Sequence, residues 1–320
     1  MTAGATLSPP GEGNFASAQR PRISVGLPVY NGQNFLAAAI ESVLAQTYRD
    51  FALVISDNAS TDATQRICEE FASRDPRVDY HRAKTNRGIV WNFNEVFRLS
   101  RTEYFMWFAH DDALAPQYLE RCLAVLDRDP SVVSCFSSCR DIDGTGATIG
   151  VRHSRVVMDS ADRVTRFREG IRLDHLCEPW CGLTRSEVLR RTALLGAFAD
   201  YDRVIIAELG LHGRLVEIPE PLFINREHAD RSHQVYASRA ERTRWLDARN
   251  ARGLVFPHFR QLREFWESVR RARIPLSQQA RCAWALAKWS GSNRKRLTAD
   301  LDVAGRELIR NVLTRAGLRG

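Results

Sequence analysis

His110, Asp111 and Asp112 close a run, Tyr104-Phe105-Met106-Trp107-Phe108, that is apolar and aromatic throughout. Two adjacent carboxylates repel, so a cation or a strong donor has to stand beside them. Oxygen ligands favour a hard divalent ion such as Mg²⁺ or Mn²⁺. The apolar run has strand length and no polar helical face, which predicts a fully buried strand. Such a strand carries its terminal charges to the carboxyl edge of a sheet, where open α/β sheets bind ligands. On these residues alone, a solvated Asp-Asp turn that caps the next helix explains the pair equally well.

The elements needed to position them are legible. Residues 23–30, 48–55, 78–81, 104–112 and 132–137 read as strands, and 35–45, 62–73 and 90–100 as helices. Another helix starts at Pro116 and stops before Asp129-Pro130. Asp143 to Gly146 reads as a hairpin turn. Strand–helix alternation predicts an α/β fold, a mostly parallel sheet with helices on both faces. Its carboxyl edge should gather three loops, at 28–31, 56–62 and 109–113; the second is a run of turn and cap residues. After Gly150 the rhythm loosens. Residues 152–171 are polar with little period, 185–195 and 203–211 are helical, and Gly213 ends the latter helix. Short strands at 214–218 and 222–225 flank Pro219 and Pro221, and everything beyond Ala237 is helical and Arg-rich. The division is a tail over 1–20, an α/β domain over 21–236 whose halves meet at 150, and a helical basic region over 237–320.

The 320 residues are 44% hydrophobic, enough for a real core, and carry a formal net charge of +8. That surplus suits nucleotide phosphates, anionic lipid or nucleic acid without choosing among them, and no nucleic-acid-binding module is present. No 18 consecutive residues are apolar, which argues against a transmembrane span. The first twenty residues are rich in Gly, Ala, Ser and Pro without a signal pattern, which reads as a disordered tail in a cytoplasmic context. Seven cysteines at irregular spacing, Cys135 with Cys139 and Cys177 with Cys181 among them, read as buried reduced thiols. The stretch from Trp284 to Trp289, followed by Arg294-Lys295-Arg296, has two readings. It is either a helix lying on an anionic membrane, at the inner face of the plasma membrane, or a packed helix with a solvated basic face.

Four ordered motifs over about residues 22–135 resemble the family 2 glycosyltransferases. They are Pro28-Val29-Tyr30-Asn31, the loop Ser56-Asp57-Asn58-Ala59-Ser60-Thr61-Asp62, Asn86-Arg87-Gly88 with Asn94, and Ala109-His110-Asp111-Asp112 with Pro116. The resemblance implies a GT-A fold and an inverting enzyme that uses a nucleotide diphosphate-sugar donor. Carried over, it makes Pro28, Tyr30, Asn31, Asp57, Asn58, Asn86, Asp111 and Arg231 the nucleotide-sugar-binding residues. Asp57 would face the base or ribose and Asp111 the ribose. Asp112 is the favoured ligand of Mg²⁺ or Mn²⁺ on the diphosphate, and His228 and Arg231 lie near that diphosphate. Asp202 falls where the family places its catalytic base, with Asp200 as the alternative. Two residues depart from the family pattern. Asn58 replaces a second Asp, and an amide donates as well as accepts, which opens base preference beyond uracil. Ala109 replaces the first Asp of the Asp-x-Asp-Asp motif, leaving metal binding to fewer carboxylates, with His110 or His228 to help.

The chemistry that follows is transfer of a sugar to a hydroxyl on a surface glycan or lipid-linked acceptor. The metal neutralises the leaving diphosphate, Asp202 takes the acceptor proton, and Trp91 and Trp180 either stack on sugars or simply pack. A nucleotidyltransferase or a dinucleotide-binding oxidoreductase lacks its Gly-rich phosphate loop here. A degenerate module that binds a nucleotide sugar without turnover is the non-enzymatic alternative, supported by Ala109 and Asn58.

Overall fold

The computed structural model describes residues 21–315 apart from 156, 173–177, 230, 232–234, 236–237 and 247–253. The tail expected over 1–20 lies outside the described residues, as do Cys177, Asp230 and Ser232. Four strands open the chain in parallel: β1 (Ile23–Val29), β2 (Phe51–Asp57), β3 (Val78–Arg82) and β4 (Tyr104–Trp107), in the spatial order β3-β2-β1-β4. Helices α1 (Leu36–Leu44), α2 (Thr64–Arg74) and α3 (Ile89–Leu99) make the crossovers.

Alternation along the strands sorts the core into two layers, because successive side chains point to opposite faces. Ile23, Val25, Leu27 and Val29 face the same side as Tyr104, Met106 and Phe108, where α1 and α4 (Tyr118–Arg128) cover them. Phe105 and Trp107 face the other side and pack with Phe93 and Phe97 of α3. The sheet continues past β4 as a mixed one. Antiparallel β8 (Leu183–Arg185) joins β4 to β6 (Val132–Ile142), and β9 (Arg214–Arg226) runs parallel to β6. The two-residue β5 (Ala113–Leu114) pairs with β9, and β7 (Thr148–Arg152) folds back on β6. The Asp143 side chain holds that last turn by accepting from the backbone N–H groups of Thr145 at 2.8 Å and Ala147 at 3.0 Å.

Several boundaries differ from the sequence expectation. The aromatic strand stops at Trp107, so Asp111 and Asp112 sit in the loop between β4 and β5 instead of finishing a strand. Helix α4 starts at Tyr118, two residues past Pro116. The segments on either side of Pro219 and Pro221 form one long β9, whose irregular register against β6 absorbs the two missing donors. The helix expected over 185–195 is only the single turn α6 (Ser186–Leu189) behind β8. A helix does form where no period was visible, α5 (Arg163–Gly170). Its Arg166 is buried and donates to the carbonyls of Ser160, Ala161 and Gly210, so a charged residue occupies a core position and breaks the apolar pattern.

The C-terminal helices α8 (Arg239–Leu246), α9 (Pro257–Arg271), α10 (Leu276–Ser292) and α11 (Arg294–Arg315) follow α7 (Tyr201–His212) and β9. They do not stand apart. Phe265 and Val269 of α9, with Cys282 and Trp289 of α10, form a third core with Phe167 of α5 and Ala207 and Leu211 of α7. Glu208 of α7 is 1% exposed and accepts from Arg271 of α9 at 2.6 Å.

Candidate active site

The β1–α1 and β2–α2 loops are laced together. Asn31, at a left-handed φ of 53°, accepts from the Thr61 backbone N–H through its side-chain Oδ1 at 2.8 Å. Its own N–H donates to Ser60 Oγ at 2.9 Å, and that of Gly32 donates to Thr64 Oγ1 at 2.9 Å. Behind them Asn92 of α3 is buried. Its amide donates to the carbonyls of Val29 at 3.1 Å and Ser56 at 2.8 Å, bracing the ends of β1 and β2. Sequence reasoning passed over Asn92, although an amide between Trp91 and Phe93 on an otherwise apolar helix face was the available signal.

Asp57 is fully buried, and its carboxylate accepts from the Ser60 N–H at 2.8 Å, Tyr80 Oη at 3.0 Å and Arg82 Nε at 3.0 Å. Asn58 is 1% exposed; its amide donates to Asn86 Oδ1 and the Gly88 carbonyl and accepts from the Arg87 N–H. Both residues shape the rim from inside. Pro28 is buried in β1 opposite Ser56, while Tyr30 stands exposed at the strand end. Asn94 clamps α3 to the Leu195 backbone through two hydrogen bonds.

The third loop arrives beside these. A Cβ on Gly32 would lie 2.6 Å from His110 Cδ2, so the glycine lets the His110 ring rest against the β1–α1 turn. Asp111 Oδ2 lies 2.9 Å from His228 Nε2. Burial opposes ionisation of Asp111, but the bond to His228 and the nearby His110 and Arg231 outweigh it and hold its pKa low. Asp112 turns inward: it is 4% exposed, and its Oδ1 accepts from the Arg226 N–H at 3.0 Å. Burial first, and the charge of Asp111 second, push its pKa up. Arg226, which sequence reasoning left without a role, also donates from Nε to the Asp111 carbonyl at 3.0 Å. Its guanidinium lies over the Phe35 ring, and that ring touches His228. Arg231 Nη1 is held by Asn225 Oδ1 and by the Arg226 carbonyl.

Asp202 lies in the first turn of α7, and its Oδ1 accepts from the Arg203 N–H at 2.9 Å. Asp200, the other candidate base, is ion-paired with Arg239. Cys181 is buried in the turn that carries Trp180. Its thiol is pushed well above the usual range by burial, then by the charges of Asp112 and, more weakly, Asp202. Trp180 packs on Phe93, Trp107 and Tyr201, where it supports the start of α7. Trp91 lies under the Arg87 guanidinium.

A metal can be tested against this donor set. Among the described residues no group of three or more His, Cys, Asp or Glu stands ready to hold an ion alone. The Asp111–His228 pair nevertheless fits one, because ligands at right angles about a hard dication at roughly 2.1 Å lie about 3 Å apart. Two protein ligands suffice where substrate phosphates complete the shell. His228 Nδ1 is buried without a hydrogen-bond partner.

The profile of glycosyl transferase family 2 matches residues 24–192, more than half of the chain. The chain belongs to glycosyl transferase family 2. Among curated members, chondroitin synthase of Escherichia coli is 36% identical to this family 2 chain over 129 residues, 40% of the chain and 19% of the relative. The putative glycosyltransferase EpsE of Bacillus subtilis (strain 168) is 30% identical over 142 residues, 43% of the chain and 48% of the relative. The chain thus spans between a fifth and a half of these two relatives. Of solved structures, S. aureus TarS 1-349 in complex with UDP superposes with a TM-score of 0.59 at 14% identity, covering 84% of this chain and 72% of that one. Mannosyltransferase PcManGT from Pyrobaculum calidifontis, in complex with GDP-Man and Mn²⁺, gives 0.50 at 16% identity, covering 94% and 90%. These superpositions establish the GT-A fold.

Proposed function

We propose that this family 2 chain transfers a glycosyl group from a nucleoside diphosphate-sugar to a hydroxyl, with inversion, in assembly of a surface polysaccharide or glycolipid. The observation that carries the reading is the corner where Asp111, Asp112, His228, Arg226 and Arg231 meet at the carboxyl edge of β1 and β4, beside the laced Asn31–Thr61 rim. Structures of similar fold in complex with UDP, UDP-GlcNAc and GDP-Man support that donor class. The similarity to a chondroitin synthase supports a glycan acceptor.

The roles follow from position. Tyr30, Asn31 and the 57–62 loop line the nucleoside end. Asp111 and His228 would hold Mg²⁺ or Mn²⁺, with Asp112 behind them as the inward anchor of the Arg226 backbone. This reverses the order that the family resemblance implied, since Asp112 is the more buried and Asp111 the one against His228. A bound dication would supply charge neutralisation to the departing diphosphate. Arg231 and Arg226 add fixed positive charge at the same corner. Asp202, in the first turn of α7, takes the proton of the acceptor hydroxyl as it attacks, and Asp200 stays with Arg239 as a structural pair. Attack from the Asp202 side on a sugar whose leaving group lies at Asp111 is a single displacement, and a single displacement inverts.

Ala109 and the two-residue donor set favour a second reading, a module that binds the nucleotide sugar without turnover. One experiment separates them: a thermal-shift screen across UDP-, GDP- and dTDP-sugars with and without Mn²⁺, followed by assay of hydrolysis and transfer. Metal-dependent stabilisation by one donor, with turnover that Asp202→Asn abolishes, is the expected result. Stabilisation without turnover would establish the binding module, and no stabilisation by any donor would remove both readings.

A further inference from the structure

The charge of the chain is unevenly placed. Residues 254–320 hold 14 Lys and Arg against five Asp and Glu, whereas residues 1–253 hold 32 against 33. The whole surplus of positive charge therefore belongs to the C-terminal helices.

Helix α10 is apolar on two sides. Cys282, Ala285, Leu286 and Trp289 are buried, and they pack against α5 and α9. A second stripe, Leu276, Ala280, Ala283, Trp284 and Ala287, follows helical spacing on the outer side, and all five are exposed. Leu276 is 82% exposed and Trp284 64%. Ala283 and Ala287 of this stripe also line a groove of about 420 Å³ with Phe259 and Trp266 of α9. The stripe is edged by cations: Lys288 Nζ stands 5.3 Å from the centre of the Trp284 ring, and Arg294, Lys295 and Arg296 follow, all exposed.

An outward apolar stripe with a Trp, bordered by Lys and Arg, is the composition of a helix that lies in a membrane interface. Apolar side chains reach the acyl boundary while the cations meet anionic headgroups. A nucleic acid would use the cations and leave the apolar stripe in water. A second copy of this chain would bring nine surplus charges against nine. No described helix is long and apolar enough to cross a membrane. We infer that α9 and α10 seat the protein peripherally on an anionic lipid bilayer, with Leu276 and Trp284 in the interface and Lys288 and residues 294–296 on the headgroups. This seat is independent of the sugar-transfer reading.

The test is flotation of the full chain with phosphatidylcholine vesicles, with and without phosphatidylglycerol, at low and high salt. Binding is expected only with phosphatidylglycerol, and it weakens as salt rises. Trp284→Ala lowers the partition about tenfold and Lys288→Ala about fivefold, while Trp284→Tyr retains most of it. Both positions are exposed, so the melting temperature of each variant stays at that of the parent. Equal binding to both vesicle types, no binding, or a partition unchanged in Trp284→Ala would overturn the inference. So would a solution dimer that Trp284→Ala dissociates, since the stripe would then belong to a second copy.

Discussion

Asn92 ties the ends of β1 and β2 through three bonds: its amide donates to the Val29 and Ser56 carbonyls and accepts from Ser56 Oγ at 2.6 Å, while the Val29 carbonyl also accepts from the Asn58 N–H at 2.9 Å. With the amide removed, the buried Val29 and Ser56 carbonyls each lose a donor at the mouth of the site. Asn92→Ala is expected to cost about 2–3 kcal/mol of stability in urea unfolding. It should also weaken nucleotide binding, because the β1 and β2 ends it braces carry Asn31 and Asp57; an unchanged midpoint would show that the two loops hold without it. His228 and Asp111 make a different prediction. If both ligate the metal, His228→Ala raises the Mn²⁺ concentration needed for half-maximal donor stabilisation by tenfold or more. It also takes from the part-buried Asp111 carboxylate its partner at 2.9 Å, so metal-free stability should fall as well, and the Mn²⁺ titration is read relative to each protein's own metal-free melting temperature. Equal Mn²⁺ titrations in parent and variant would move the ion elsewhere. At this scale the sequence was only partly readable. The Asp111-Asp112 pair and His228 stood out by type, and the structure brings all three together. Asp57 and Asn58 stood out as well, but only the fold shows that their polar atoms face inward onto Tyr80, Arg82 and the 86–88 turn. Side-chain direction in a loop depends on partners distant in sequence, and no local pattern encodes it.

Elements set the close approaches. The β1–α1 turn leaves no room for a Cβ at Gly32, which would meet His110 Cδ2 and Val29 Cγ2, each at 2.6 Å. Gly32→Ala is expected to displace the His110 loop and reduce transfer or donor affinity severalfold, with a smaller loss of stability; unaltered donor binding would show that His110 moves without consequence. Helix α7 predicts a pH response at its far end. Burial first, then the charges of Arg191, Arg163 and Arg271, lower the pKa of His212 below its usual 6.5. The folded state therefore favours the neutral ring. Its contribution is fully present above about pH 6.5 and is lost as pH falls through the lower folded value. His212→Gln should flatten the decline in melting temperature that sets in below about pH 6.5; parallel curves would assign the decline to other groups. The parallel strands and crossover helices of the first half were legible because their apolar period is uninterrupted. Helix α5 was not, since Arg166 is buried through three carbonyls, and β8 was too short to be told from the turn of helix that follows it.

In the whole molecule, an ion pair with a buried carboxylate ties the C-terminal helices to α7. Glu208 meets Arg271 and Ser268 where α7 and α9 cross. Arg271→Ala leaves a buried carboxylate uncompensated and should cost about 3–5 kcal/mol, and Glu208→Gln in the same chain should recover most of it. Both chains should unfold in a single transition followed by tryptophan fluorescence; two resolved transitions would show that the helical layer melts on its own. The charge placement belongs to this scale too, because a basic layer fixed to α7 holds its orientation relative to the site. Helix α7 also governs how such a protein could be recombined with its relatives. Its first turn supplies Asp202, and its buried middle is the floor on which α5 and α9 rest. A crossover placed between β9 and α8 would pair one parent's Glu208 with another parent's helix, whatever residue that helix offered in place of Arg271. The heritable block therefore runs from α5 through α10, and acceptor preference should travel between relatives with its helical cover or not at all.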